Sequence, residues 1–241
     1  VNTSIVTFRK TLSPCENIYA TKMYRKGHNF DLQSLIDNLK FAKVNSHLLF
    51  GRIPKISEDI EMSILDKLAK HDKLGDFIRD SGSPIVYRFA GGRYFKVVTN
   101  YSNGSSAERT LFFDNDIANS IGCILSSSLS FWFYQIYSDN LNWKNYEISE
   151  FRIPKLSASI ICQLETLYAE YLADIERNAN VRQTTGASSY NVSSFKEYKI
   201  GKSKAIIDKI DDLICPLYGL TKEETEFIKN YEIEFRLSDD E

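Results

Sequence analysis

Apolar residues at Ile117, Ile121, Ile124, Leu125, Leu129, Trp132 and Ile136 recur at spacings of three and four. That spacing predicts a helix over 117–137 with these side chains on one face. Ala118, Gly122 and Ser126 lie beside that face, where small residues let another element approach closely. Asn119, Gln135 and the serines at 120, 126, 127, 128 and 130 interrupt the run, which is therefore no membrane span. A polar-aromatic segment, Ser138–Tyr146, follows. Ile148–Pro154 then ends extended, because the residue before Pro154 is pushed out of helical geometry.

The same reading organises the rest of the chain. Val1–Phe8 is rich in β-branched residues and reads as a strand, and Asn17–Arg25 is a second strand-like run. Asp31–Leu39 is a short helix and Leu48–Pro54 is extended. Ser57 is read as the N-cap of a helix reaching about Lys70, with Glu58, Asp59 and Glu61 in its first turn. Leu74–Arg79 is a short helical or turn segment. Ile85–Phe89 and Arg93–Thr99 flank Ala90-Gly91-Gly92 and predict a hairpin, and Arg109–Phe113 a further strand. Ser157–Glu176 is an amphipathic helix, 178–194 a polar, mobile loop, and Phe195–Ile200 strand-like. Lys202–Tyr218 is helical with Gly219 beyond its end, and Thr221 with Glu224 forms a capping box opening a last helix to about Tyr231. The sum is a mixed α+β fold, small β-sheets or hairpins packed with several amphipathic helices.

Charge changes the picture more than composition does. The net charge of the 241 residues is −2, but Ala205–Glu241 carries eleven acidic and four basic residues. That tail is net −7, so the other 204 residues carry +5, a balance that permits a phosphate-facing surface. Cysteines 15, 123, 162 and 215 are scattered without a C-x-x-C; the last three lie in apolar helical patterns and read as buried thiols of a reducing cytosol. Histidines 28, 47 and 71 lack partners at metal-ligand spacing and read as exposed or capping groups.

Three stretches carry a resemblance. Leu125-Ser-Ser-Ser-Leu-Ser-Phe-Trp-Phe-Tyr, then Asp139, Leu141, Ile148 and Phe151-Arg-Ile-Pro154, resembles the "LNSSLFYWYF…D…L…I…FPIP" unit of adenine-specific DNA methyltransferases of the TaqI-like and Eco57I-like (type IIG restriction–modification) kind. The hairpin resembles their "I-Y-Y-R…G-G-x-Y-[WF]-K". The string from Ser203 through Leu217-Tyr-Gly-Leu-Thr221 to Phe235-Arg236 is similar to their extreme C-terminus. The resemblance implies a specificity-domain-like fold in which 1–26 are trailing strands of a methyltransferase domain. On it, 27–156 would be the target-recognition domain and 157–241 a C-terminal helical part. It implies duplex DNA as partner, a methyltransferase domain acting in cis, S-adenosylmethionine as cofactor of the parent enzyme only, and a cytoplasmic setting.

Catalysis itself is not expected of these residues. No two prolines are adjacent, so the (D/N/S)-P-P-(Y/F/W) loop that would hold a flipped adenine is absent from the sequence, and the sole Gly-Gly sits in the hairpin turn. No G-x-S-x-G surrounds the serine run, whose hydroxyls are expected to bond back to the preceding turn. Reading DNA requires phosphate anchors and side chains that reach base edges. The hairpin offers Arg88, Arg93 and Lys96. The segment after the long helix offers Asn140, Asn142, Lys144 and Asn145, with Trp143 and Tyr146 as packing or stacking groups, and Arg52 and Lys55 flank Pro54. Two other readings stay open. One is a helical protein–protein interaction or dimerisation module, marked by an exposed apolar stripe on the late helices. The other is an enzyme of unrelated chemistry, marked by a deep pocket with convergent ionisable groups.

Overall fold

The computed structural model describes residues 5–8, 10, 12–13, 17–26, 31–91, 96–183 and 194–237. In chain order the elements are β1 (Tyr19–Ala20), α1 (Leu32–Asp37), β2 (Ala42–Lys43), α2 (Asp59–Leu68), β3 (Asp72–Lys73), β4 (Ser83–Arg88), β5 (Val98–Thr99) and β6 (Glu108–Phe113). There follow α3 (Ala118–Leu125), α4 (Ser128–Tyr137), α5 (Asn145–Ser149), β7 (Arg152–Ile153), α6 (Ala158–Arg177), β8 (Ala179–Gln183) and β9 (Ser194–Tyr198). Three helices, α7 (Lys204–Ile214), α8 (Lys222–Asn230) and α9 (Ile233–Arg236), complete the fold, which is mixed α+β as expected. Its sheets are small and antiparallel: β5-β4-β6 with three strands, and the pairs β1-β2, β3-β7 and β8-β9.

The expected helix over 117–137 is two helices. Ser126 Oγ donates to the Gly122 carbonyl at 2.8 Å and Ser127 Oγ to the Ile124 carbonyl at 2.6 Å, which satisfies carbonyls at the end of α3. Ser127 then turns extended (φ −74°, ψ 161°) and its hydroxyl accepts from the Ser130 amide at 3.1 Å, capping α4. All ten residues of α4 are buried, so the apolar pattern runs through the break without marking it.

This helix pair lies at the centre. Tyr168 of α6 and Ile85 of β4 both occupy the space that a Cβ on Gly122 of α3 would take, the close approach that its smallness promised. The first residues of α4 meet Asp211 of α7. One buried cluster runs from Ala20 to Tyr231 and crosses the expected 156/157 division. Residues 17–26 are tied to this body as well: Lys22 pairs with Glu58 at 3.1 Å, and Arg25 with Glu232 at 2.7 Å.

Other local expectations divide. Thr221 and Glu224 form their reciprocal box at 3.2 and 2.7 Å, and Gly219 takes the left-handed conformation (φ 76°) after the helical stretch. The expected hairpin partners pair as β4 with β5. By contrast, Glu58 and not Ser57 caps α2, because Glu61 reaches back to both the Ser57 and Glu58 amides. The polar loop is shorter than 178–194, since 179–183 and 194 belong to the β8-β9 ladder. The first strand is absent over 5–8, and the second shrinks to Tyr19–Ala20. Cys123 and Cys215 are buried but Cys162 is exposed, lying on the outer face of α6. His47 is buried against Asp66 at 2.9 Å, not exposed. Leu48–Pro54 is not extended throughout; it contains a tight turn.

Candidate nucleic-acid interface

Three segments meet beyond the C-terminal end of α4. The first is the turn Leu49–Arg52, closed by Leu49 N–H to the Arg52 carbonyl at 3.1 Å and Arg52 N–H to the Leu49 carbonyl at 2.9 Å. Its central residues, Phe50 and Gly51, have φ of 49° and 73°, the arrangement of a type I′ turn. Lys55 follows and anchors the turn to α4: its amide donates to the Ile136 carbonyl at 2.9 Å and its Nζ to the Ser138 carbonyl.

The second segment is Ser138–Lys144. Asp139 accepts from the Leu141 and Asn142 amides, both at 2.9 Å, and so bends the chain back. Asn140 takes φ 60° and donates through Nδ2 to Met23 Sδ at 2.9 Å. The third is the end of β4 and its turn. Trp143 N–H donates to the Phe89 carbonyl at 2.7 Å, Gly91 N–H to the Leu141 carbonyl at 3.3 Å, and Ala90 bridges Asn142. Backbone hydrogen bonds thus stitch two of the expected DNA-facing segments to each other.

The individual candidates are held in different ways. Arg52 bonds the buried Glu147 carboxylate and the Tyr146 hydroxyl, with its guanidinium 4.7 Å from the Tyr146 ring centroid. Arg88 donates to the Ala90 carbonyl at 2.9 Å. Lys144 pairs with Asp139 at 2.9 Å and is 38% exposed. Asn145 is exposed, with its Oδ1 accepting from Tyr87 OH at 2.6 Å. Two candidates sit deeper than a base-reading role requires. Trp143 is 1% exposed between Tyr87 and Tyr134, a core ring as its packing alternative had it. Lys96 is 5% exposed, donating to the Gly91 carbonyl at 2.7 Å over the Tyr134 ring. Arg93 lies outside the described residues. Two groups escaped the sequence reading. Arg109 stacks on Phe89 at 4.0 Å and was signalled only by strand alternation; Phe50 carried no signal at all.

The electrostatics follow from crowding. Burial lowers the Lys55 and Lys96 ammonium groups to about 8. Burial pushes Asp139 upward, but the Asn142 amide, Lys144 and the Leu141 amide outweigh it and hold the carboxyl at about 2. The formal charges of Arg52, Lys55, Arg88, Lys96 and Lys144 with Asp139 and Glu147 sum to +3; Arg52 is paired with Glu147 and Lys144 with Asp139, so the excess rests on Arg88 and the two crowded lysines.

Elsewhere the surface differs. A shallow cleft between α2 and α8 is lined by Glu58, Asp59, Glu223 and Glu226 with Lys40, the wrong sign for a phosphate backbone. Among the described residues there is no grouping of His, Cys, Asp and Glu that could hold a metal ion, and no helix is long and apolar enough to cross a membrane. The helices α6, α7 and α8 expose no large apolar side chain. No family model, curated protein or solved structure matches the chain.

Proposed function

We propose that this chain is the target-recognition region of an adenine-specific DNA methyltransferase or type IIG restriction–modification enzyme. It binds duplex DNA through the surface built by 49–55, 88–91 and 138–146, and positions the target adenine for a catalytic domain acting in cis. S-adenosylmethionine would be bound by that domain. The observation that carries the reading is the stitching of the hairpin turn to the 138–144 loop within one net-positive surface. Two segments some fifty residues apart in the sequence support a single footprint.

Fluorescence anisotropy with random-sequence duplexes across a salt series tests it. Binding should weaken linearly in log–log salt, with a slope of about −0.9 per phosphate neutralised. Arg88→Ala with Lys144→Ala should make that slope shallower by about one for each phosphate left without its cation. Binding that ignores salt, or no binding at low salt, contradicts the proposal.

The two lysines held near 8 add a pH signature. As pH rises from 7 to 9 both lose their protons, and the local charge falls from +3 toward +1. Affinity should fall over that interval and the salt slope should flatten, whereas a site anchored by ordinary lysines and arginines would keep both up to about pH 10.

A further inference from the structure

The turn at Leu49–Arg52 places a bulky ring where the backbone disfavours it. Both central residues need positive φ, a conformation that Asn-Gly supplies readily and that a bulky residue resists. Phe50 occupies the first position at φ 49° and gains little burial in return: it is 67% exposed. One edge of the ring meets Tyr146, with centroids 6.1 Å apart at 85°. The Tyr146 ring also carries the Arg52 guanidinium, 4.7 Å from its centroid. A strained, outward-pointing aromatic therefore stands beside a cation on a common tyrosine, at the rim of the net-positive surface.

We infer that Phe50 is a wedge that enters the base stack of bound duplex DNA, with Arg52 and Tyr146 forming the ledge that fixes its angle. The inference rests on the DNA-binding reading above and names the group through which that surface deforms its duplex. Apolar side chains on minor-groove and architectural proteins open base steps in this way, and an aromatic ring replaces part of the stacking that is lost. The charge beside the ring favours a nucleic acid over an apolar protein surface as the occupant, since Arg52 would have to be desolvated against the latter.

The test compares two duplexes of one sequence, intact and with a central abasic site, because unstacking costs least where a base is already missing. The wild-type chain should bind the abasic duplex about tenfold more tightly. Phe50→Asn should abolish that preference while leaving the salt slope on intact duplex unchanged. The variant should also melt about 2–4 °C higher, since Asn accepts the left-handed conformation, and a cooperative melt checks that it is folded. No abasic preference in the wild type, or one that survives Phe50→Asn, overturns the wedge while leaving DNA binding intact. Self-association of the wild type that Phe50→Asn abolishes assigns the ring to a protein interface and also overturns it. Failure to bind either duplex at low salt overturns the DNA-binding reading, and the wedge with it.

Discussion

Asp211→Ala is expected to lower the unfolding free energy by about 3–5 kcal/mol at pH 7, measured by urea denaturation. Asp211 on α7 is fully buried, and its two oxygens accept from the Ser128 and Leu129 amides, each at 3.2 Å. These are amides of the first turn of α4, where the helix dipole favours an anion. Arg236 of α9, 2% exposed, donates to Ser128 Oγ and to the Tyr231 carbonyl at 3.3 Å and lies over the Phe131 ring. Truncation removes the strongest counter-charge facing a buried guanidinium together with the acceptor for two buried amides. A loss below about 1 kcal/mol would show that water replaces the carboxylate, against the tight burial of its surroundings.

The same residue gives a pH signature of definite sign. Burial raises the Asp211 carboxyl to about 6, above its unfolded value of 3.8. The native state then holds the proton more tightly, so this contribution is complete below about pH 4 and is lost as pH rises through 6. Its size is about 3 kcal/mol. The stability difference between wild type and Asp211→Asn should shift by that amount across pH 4–6. A flat difference would mean that Asp211 stays ionised throughout.

Gly122→Ala should destabilise by about 1–3 kcal/mol, although the same change on an exposed helix face would stabilise by roughly 1 kcal/mol. A Cβ at position 122 would lie 2.6 Å from Tyr168 Cζ, 2.7 Å from its hydroxyl and 2.8 Å from Ile85 Cδ1. Tyr168 is 1% exposed and stacks on Tyr171, and Ile85 is fully buried in β4, so neither can swing away. The sign of the effect is the decisive reading. A gain in melting temperature would mean that α3 and α6 separate freely, and that the centre of the fold yields more easily than its burial implies.

These two sites mark where the sequence was readable and where it was not. Gly122 among small neighbours announced a close approach, and the Thr221–Glu224 box announced a helix start, because each signal and its cause lie within a turn of each other. The break at Ser126–Ser127 was hidden because both flanking helices are buried on nearly every side, which removes the polar stripe that would show a change of phase. Long-range pairing was invisible for a different reason. Arg52 finds Glu147 95 residues away, and Asp211 finds Ser128 83 residues away, separations that no local pattern encodes. For the candidate interface, the sequence pointed to segments that do meet but could not rank their members. Trp143 went into the core because its backbone amide is drawn to Phe89, and Lys96 was folded under the hairpin turn. Phe50 went unnoticed because Phe-Gly is not a recognised turn dipeptide.

The bonds that join Ala90 and Gly91 to Leu141 and Asn142 have a consequence for attempts to redirect such a surface. Asp139 and Arg88 shape each loop from within, and each loop also completes the other's backbone bonding. Grafting a foreign 138–144 segment onto this hairpin would leave backbone groups of both without their complements, and the reverse exchange would fail in the same way. Exchange should succeed only when the two travel as a matched cassette, so diversification of this surface is a problem of recombining paired segments and not of changing single residues.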